Sequence, residues 1–230
     1  MPDSATPLAQ MPDPVAPLAQ APRNRRGSTR TRMLVSAVEV LRERGAAGVT
    51  IDEVLTRSGA PRGSVYHHFP DGRNQILAEA LQLAGNTIGT VIDRDADGGG
   101  LPLVRTFVEF WERLLAESDF TAGCPVVAAA IGPVDDEPQL TEAAGEIFDR
   151  WRAALTRAFA ADGFDRPDAA SLAVMCIAAL EGAVVLCRSS RTAEPLRDVA
   201  EQLEFLIKSR EFVRRNGLPT TKPSNEAVPN

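Results

Sequence analysis

Histidine is nearly absent: the 230 residues hold two, His67 and His68, side by side. Cysteine is almost as scarce, with Cys124, Cys176 and Cys187 far apart in apolar surroundings. With no CxxC or Cys/His spacing there is no zinc signature. No Ser-His-Asp set, phosphate-binding glycine loop or metal-ligand pair on one helix face can be drawn from the remainder. The expectation is a protein that is not an enzyme, with no catalytic residue, metal or cofactor. Three cysteines read as buried thiols of a reducing cytoplasm. Cys176 and Cys187 would lie about 16 Å apart along one helix, too far to bridge. A redox-sensing regulator acting through Cys124 stays open as an alternative.

Period-two alternation is missing as well, which excludes exposed-face strands and makes the chain all-α. The N-terminus has no charged-then-apolar pattern of a secretory signal. The best span candidate, residues 169–187, is dominated by Ala and carries Glu181 near its middle, at a cost of about 2.5–3.5 kcal/mol on insertion scales. It reads as a buried bundle helix, with no membrane partner expected and a cytoplasmic, nucleoid-associated location.

What is present is a charge asymmetry. Net charge is −6, which argues against a protein that coats nucleic acid non-specifically. Residues 21–75, however, hold ten arginines and five acidic residues, and residues 76–230 hold 15 basic and 24 acidic ones. A small nucleic-acid-binding module attached to an acidic body fits that division. The pattern divides into a Pro/Ala-rich and basic arm over 1–27, a reader over 28–72, a helical body over 73–215 and a tail over 216–230. The arm contains a near-duplicate, MPDSATPLAQ and MPDPVAPLAQ, so Met1 and Met11 are both candidate starts.

The first helix carries Leu34, Ala37, Val38 and Leu41 at i, i+3, i+4, i+7 and should stop at Gly45. Thr50 with Glu53 forms a capping box for a short helix over 51–57. Gly59 ends it, and Pro61 fits the first turn of a second short helix reaching His68. Two short helices around a glycine turn make a helix-turn-helix. Val54, Leu55 and Val65 would pack it inward, leaving Arg62, Gly63, Ser64, Tyr66 and His67 outward. Gly63 would let the backbone approach DNA closely. Arg62 would reach a guanine edge or a phosphate. Thr50, Tyr66 and His67 would donate to phosphate oxygens. Arg25, Arg26, Arg30 and Arg32 would supply either a minor-groove arm or general phosphate attraction.

The stretch Thr50–Val54 followed by Ser58–Phe69 resembles the TetR family of regulators. The family's G-x-x-Y-x-x-F and following basic residue are met by Gly63, Tyr66, Phe69 and Arg73. Pro61 stands where many members have a capping Ser, and Arg73 where many have Lys; the first exchange weakens the cap. Gly123-Cys124-Pro125-Val126, then Glu181-Gly182-Ala183 leading to Arg188 and Arg191, and Glu194-Pro195-Leu196, resemble the LmrA/YxaF-like branch. The resemblance implies operator DNA as partner, a homodimer paired through its last two long helices, and an unidentified small-molecule effector in a pocket of each body. It makes residues 73–215 a C-terminal ligand-binding and dimerisation domain, and the residue pattern itself places helices at about 71–93, 101–118, 124–131, 138–161, 167–189 and 195–215. Candidate effector residues are Phe107, Phe110, Trp111, Cys124, Phe148, Trp151, Met175 and Glu181, although helical spacing makes most of the large ones ordinary core. Glu181 either pairs with an arginine across the subunit interface or faces a ligand. An interaction protein without a DNA role would leave the basic N-terminal third unexplained.

Overall fold

The computed structural model of the chain describes residues 29–132 and 138–217. The arm, with Arg25 and Arg26, and the tail from 218 lie outside the described residues. Within them every element is helical, in agreement with the all-α expectation. α1 is Thr29–Gly48, α2 is Ile51–Ser58, and a 3-10 turn Arg62–Ser64 runs into α3, Val65–His68. The body follows with α4 Arg73–Asp95, α5 Gly100–Glu117, α6 Pro125–Ala130, α7 Pro138–Ala161, α8 Arg166–Ser190 and α9 Glu194–Asn216. A 3-10 turn, Ala96–Gly98, occupies the glycine-rich stretch where the sequence suggested a flexible break.

Local chemistry accounts for the reader's boundaries, with two departures from expectation. Gly45 leaves helical geometry, at φ 72° and ψ −177°, but winding resumes to Gly48, so it kinks α1 instead of ending it. The capping box is half formed. Thr50 Oγ1 accepts the Glu53 N–H at 3.2 Å, whereas the Thr50 N–H goes to the Gly48 carbonyl at 3.0 Å. The Glu53 carboxylate turns instead to Arg57 at 2.8 Å and Arg44 at 3.3 Å, charged donors that outcompete a backbone amide. Gly59 closes α2 in the left-handed region, φ 63°, where a Cβ would be strained. Pro61 supplies no side-chain cap and the next turn starts as 3-10. That is the weakening expected from its place in the motif.

Val54 and Val65 are fully buried in one continuous core with Val38 and Leu41 of α1, and Leu55 is half-buried at its edge. Ile76, Leu77, Ala80, Leu81 and Ala84 carry that core along α4 into the body. α8 is long and apolar enough by composition to cross a membrane. Here Leu172, Ala173, Cys176, Leu180, Val184 and Cys187 are buried in the core, where α8 packs against α7 and α9.

α4 and α7 approach closely because Gly85 has no side chain. A Cβ there would stand 2.6 Å from Ile147 Cδ1, and the Trp151 indole N–H donates to the Gly85 carbonyl at 3.4 Å. Gly85→Val should force the two helices apart and destabilise the fold by about 1–3 kcal/mol. Urea unfolding measures this; an unchanged midpoint would show that the contact relaxes freely.

Candidate nucleic-acid interface and effector site

The outward side of the second short helix is open to solvent. Arg62 is 81% exposed and pairs at 2.9 Å with Asp52, itself exposed. A surface pair of this kind contributes little, about 0–1 kcal/mol, so the guanidinium can exchange Asp52 for a nucleic-acid acceptor at small cost. Tyr66 is 64% exposed. His67 is exposed too, its ring edge-on to His68 at 4.9 Å. Ser64 donates its hydroxyl back to the Pro61 carbonyl at 2.6 Å. Gly63 is the odd member: its φ is not positive, and a Cβ there would meet nothing within 4 Å. Nothing inside the described fold requires glycine at that position, and Arg62, Gly63, Tyr66 and His67 are exposed together around the buried Val65.

Two arginines expected at DNA have a different first use. Arg30 pairs through both Glu79 oxygens, at 2.7 Å to Oε1, and its guanidinium lies 4.8 Å over the Phe69 ring. Arg73 donates from Nε to the Val49 carbonyl at 2.7 Å and from Nη2 to the Ala46 carbonyl at 2.8 Å. A basic residue in a motif is read from sequence as a free charge, but these two tie α1 and its following turn to α4. Arg32 likewise donates to the Ser58 carbonyl at 3.2 Å. Sequence reasoning also passed over Arg57, which meets Glu43 at 2.7 and 3.0 Å and Glu53 at 2.8 Å. Glu43 is held below the usual carboxylate range chiefly by its hydrogen bonds from Arg57. The surplus of arginine in the reader is therefore partly structural: it locks α1, α2 and α4 together so that the exposed face is presented rigidly.

In the body, Phe107, Phe110, Trp111 and Trp151 are buried. Phe110 meets Trp111 edge-on at 5.3 Å and Phe148 meets Trp151 at 5.4 Å. The cavity between Phe107, Trp151, Leu155 and Ile177 amounts to about 10 Å³, room for a single water at most. These rings fill the core in this conformation instead of lining a ready-made chamber. Met175 departs from its expected interior place: it is 50% exposed on the outer face of α8, beside Val174. One residue of phase around a helix decides inside from outside, and a nearly all-apolar helix leaves that phase undetermined.

Cys124 and Glu181 come together from α6 and α8. Cys124 is the N-cap residue of α6, and burial, with the Glu181 charge second, pushes its thiol well above the ordinary range. Glu181 is buried; the Cys124 thiol is a weak partner for its carboxyl, and no nitrogen or oxygen donor among the described residues reaches either oxygen. Burial pushes its carboxyl up to about 8, with the Cys124 thiol pulling weakly the other way. No arginine among the described residues meets it. Glu181 also lines a groove of about 280 Å³ along α7 and α8, whose other walls are Phe148, Asp149, Arg152, Val174, Ile177 and Ala178.

Next to Cys124 the body grips the reader. Gly123 donates its N–H to the Arg42 carbonyl at 3.0 Å and accepts the Arg42 Nε–H at 3.3 Å. Arg188 of α8 donates to the carbonyls of Arg42, at 3.4 Å, and of Glu43. Arg42 is buried and its Nη2 has no partner among the described residues; desolvation lowers its pKa. The sequence signal available for this seam was the pairing of Gly123-Cys124-Pro125 with a distant arginine, which no helical period reveals.

Residues 33–80 match the family model for bacterial regulatory proteins of the TetR family. Residues 101–202 match that for the C-terminal domain of LmrA/YxaF-like transcriptional regulators. An uncharacterized HTH-type transcriptional regulator of Mycobacterium tuberculosis is 41% identical over 184 residues, covering 77% of this chain and 93% of that one. A crystal structure of regulatory protein TetR from Rhodobacter sphaeroides is similar with a TM-score of 0.68 at 21% identity, over 77% of this chain and 97% of that one. The TetR family transcriptional regulator CifR, solved as a cysteine mutant with double-strand operator DNA, is similar with a TM-score of 0.61 at 23% identity, over 79% and 97% of the two chains.

Arg73→Ala separates a frame role from a DNA role. Loss of its bonds to Ala46 and Val49 should lower stability by roughly 1.5–3 kcal/mol in chemical unfolding. Unchanged stability, with the salt slope of DNA binding reduced by about 1, would make Arg73 a phosphate contact instead.

Proposed function

The chain belongs to the TetR family of transcriptional regulators, in the LmrA/YxaF-like branch, and is a DNA-binding protein and not an enzyme; we propose that it is a homodimeric repressor released from a palindromic operator by a small hydrophobic effector. The observation that carries the DNA part is the exposed face of Arg62–His68, made by Arg62, Gly63, Tyr66 and His67, with a glycine at 63 that the fold itself does not need. Each subunit places that segment in a major groove, in half-sites about one turn apart. Arg62 reads a base edge, Gly63 lets the backbone come close, and Thr50, Ser64, Tyr66 and His67 set register on phosphates.

The dimer rests on an apolar face that one chain leaves uncovered. Val174, Met175, Val185 and Leu186 of α8, and Phe205 and Phe212 of α9, are each about half exposed or more. Two such helices pair with their copies in a four-helix bundle. α4 and the Arg42–Gly123–Arg188 seam both connect the reader to the body, so an effector that favours one body conformation shifts the spacing of the two readers. The protein acts in the cytoplasm, at the nucleoid. Redox sensing through Cys124 is the less favoured reading, because a buried thiol pushed up in pKa is a poor nucleophile.

Gel-shift titration with the DNA flanking its own gene is the direct check; equal affinity for a random duplex would sink the operator claim. Arg62→Ala should cost about 1–3 kcal/mol on operator and relax preference at one position. Equal losses on random duplex would reassign Arg62 to a phosphate. Phe205→Asp should convert the dimer to monomer in sedimentation analysis and abolish operator binding; a dimer that persists would place the interface elsewhere.

A further inference from the structure

Asp52 is out of place on a face that meets DNA. It sits in the first turn of α2 and is exposed, as is the cap Thr50 before it. Duplex DNA carries one negative charge per roughly 1.7 Å of its axis, so a carboxylate brought up to it costs affinity. The start of α2 does not account for the residue. Glu53 already supplies an acidic group in the same turn, and its carboxylate is engaged with Arg57 and Arg44. The Asp52 carboxylate lies in solvent instead and meets Arg62 Nη2 at 2.9 Å across the turn.

What that pair does follows from the shapes of the two groups. An unheld arginine in solvent has many rotamers and reaches the nearest phosphate oxygens, which position a protein but carry no sequence information. Its guanidinium is a rigid plane of five N–H donors. With Nη2 held on Asp52, the plane is fixed and donors remain for the two acceptors of a guanine edge. The carboxylate also sorts what can approach. The pair is cheap to open, but a phosphate that takes Arg62 is drawn beside the carboxylate it displaces, well within the screening length of about 8 Å. A guanine edge carries no full charge and meets no such repulsion. Repelling the wrong partner raises specificity without any new attraction to the right one.

We propose that Asp52 is a specificity-determining residue of the reader: paired with Arg62, it aims the guanidinium at a base edge and keeps it off phosphates. Its role is positioning, exercised through Arg62. This rests on the reading of Arg62 as a base contact and goes beyond it, because operator preference then depends on an acid that lowers total affinity for DNA.

Competition binding of full-length wild type, Asp52→Asn, Arg62→Ala and the double variant tests this, with a duplex from the DNA flanking its own gene and a random duplex. Both side chains lie in solvent, so the variants should keep the fold. Asp52→Asn should tighten random-duplex binding by about three- to tenfold and steepen its salt slope by about 1, as Arg62 becomes a phosphate contact. Operator affinity should change by less than about twofold, so operator preference falls by about threefold or more. In the Arg62→Ala background the same exchange should leave the preference unchanged. Equal gains on both duplexes make Asp52 a plain repellent and overturn the proposal. Equal losses on both assign it to the start of α2 and do the same. Preference lost to the same extent without Arg62 also overturns it, since Asp52 then reads a base itself. A wild type that does not distinguish the duplexes fails the operator reading; the salt slope on random duplex then decides the role of Asp52, and an unchanged slope rejects it.

Discussion

The constraint that ties the reader to the body at its seam is the double hydrogen bond between Arg42 and Gly123. It joins α1, the scaffold of the reader, to the start of α6 in the body, and Arg188 from α8 donates to the Arg42 carbonyl as well as to that of Glu43. Burying a guanidinium is expensive, and its placement in a seam means that the seam cannot slide without exposing or orphaning a charge. Cys124 and Glu181 lie immediately behind it.

The reader follows the opposite logic, rigid within and loosely committed outside. Arg57, Arg73 and Arg30 spend their charge on Glu43, Glu53, Glu79 and backbone carbonyls, and so fix α1, α2 and α4 relative to one another. Arg62 alone of this group holds only a solvent-exposed partner. A surface pair is easily exchanged, and a half-buried bidentate one is not. Two arginines in one motif can therefore have unlike fates, separated by what lies within reach and not by residue type.

The body shows how function is stored in what a core leaves unfinished. Its aromatic rings close upon one another and leave room for a water at most. Unfinished, among the described residues, are a buried carboxyl faced by only a weak thiol donor and an apolar outer face on α8 and α9. Each is a free-energy debt within one isolated chain.

Much of this was legible in the helix-turn-helix stretch, because its signals are local. Thr50 as a cap, Gly59 as a stop, the burial of Val54 and Val65, and the exposure of Arg62, Tyr66 and His67 all follow from neighbours a few residues away. The element order and the class of protein came with them, and α7 matched its expected span to the residue. What the linear pattern left open was partnership at long range. Whether Arg30 and Arg73 face solvent or a carbonyl, whether Met175 points in or out, and whether Glu181 finds an arginine depend on helices that meet across the fold. Charge and hydropathy are properties of a residue, and the chain spells them out; hydrogen-bond satisfaction is a property of a place, and only the packed structure decides it.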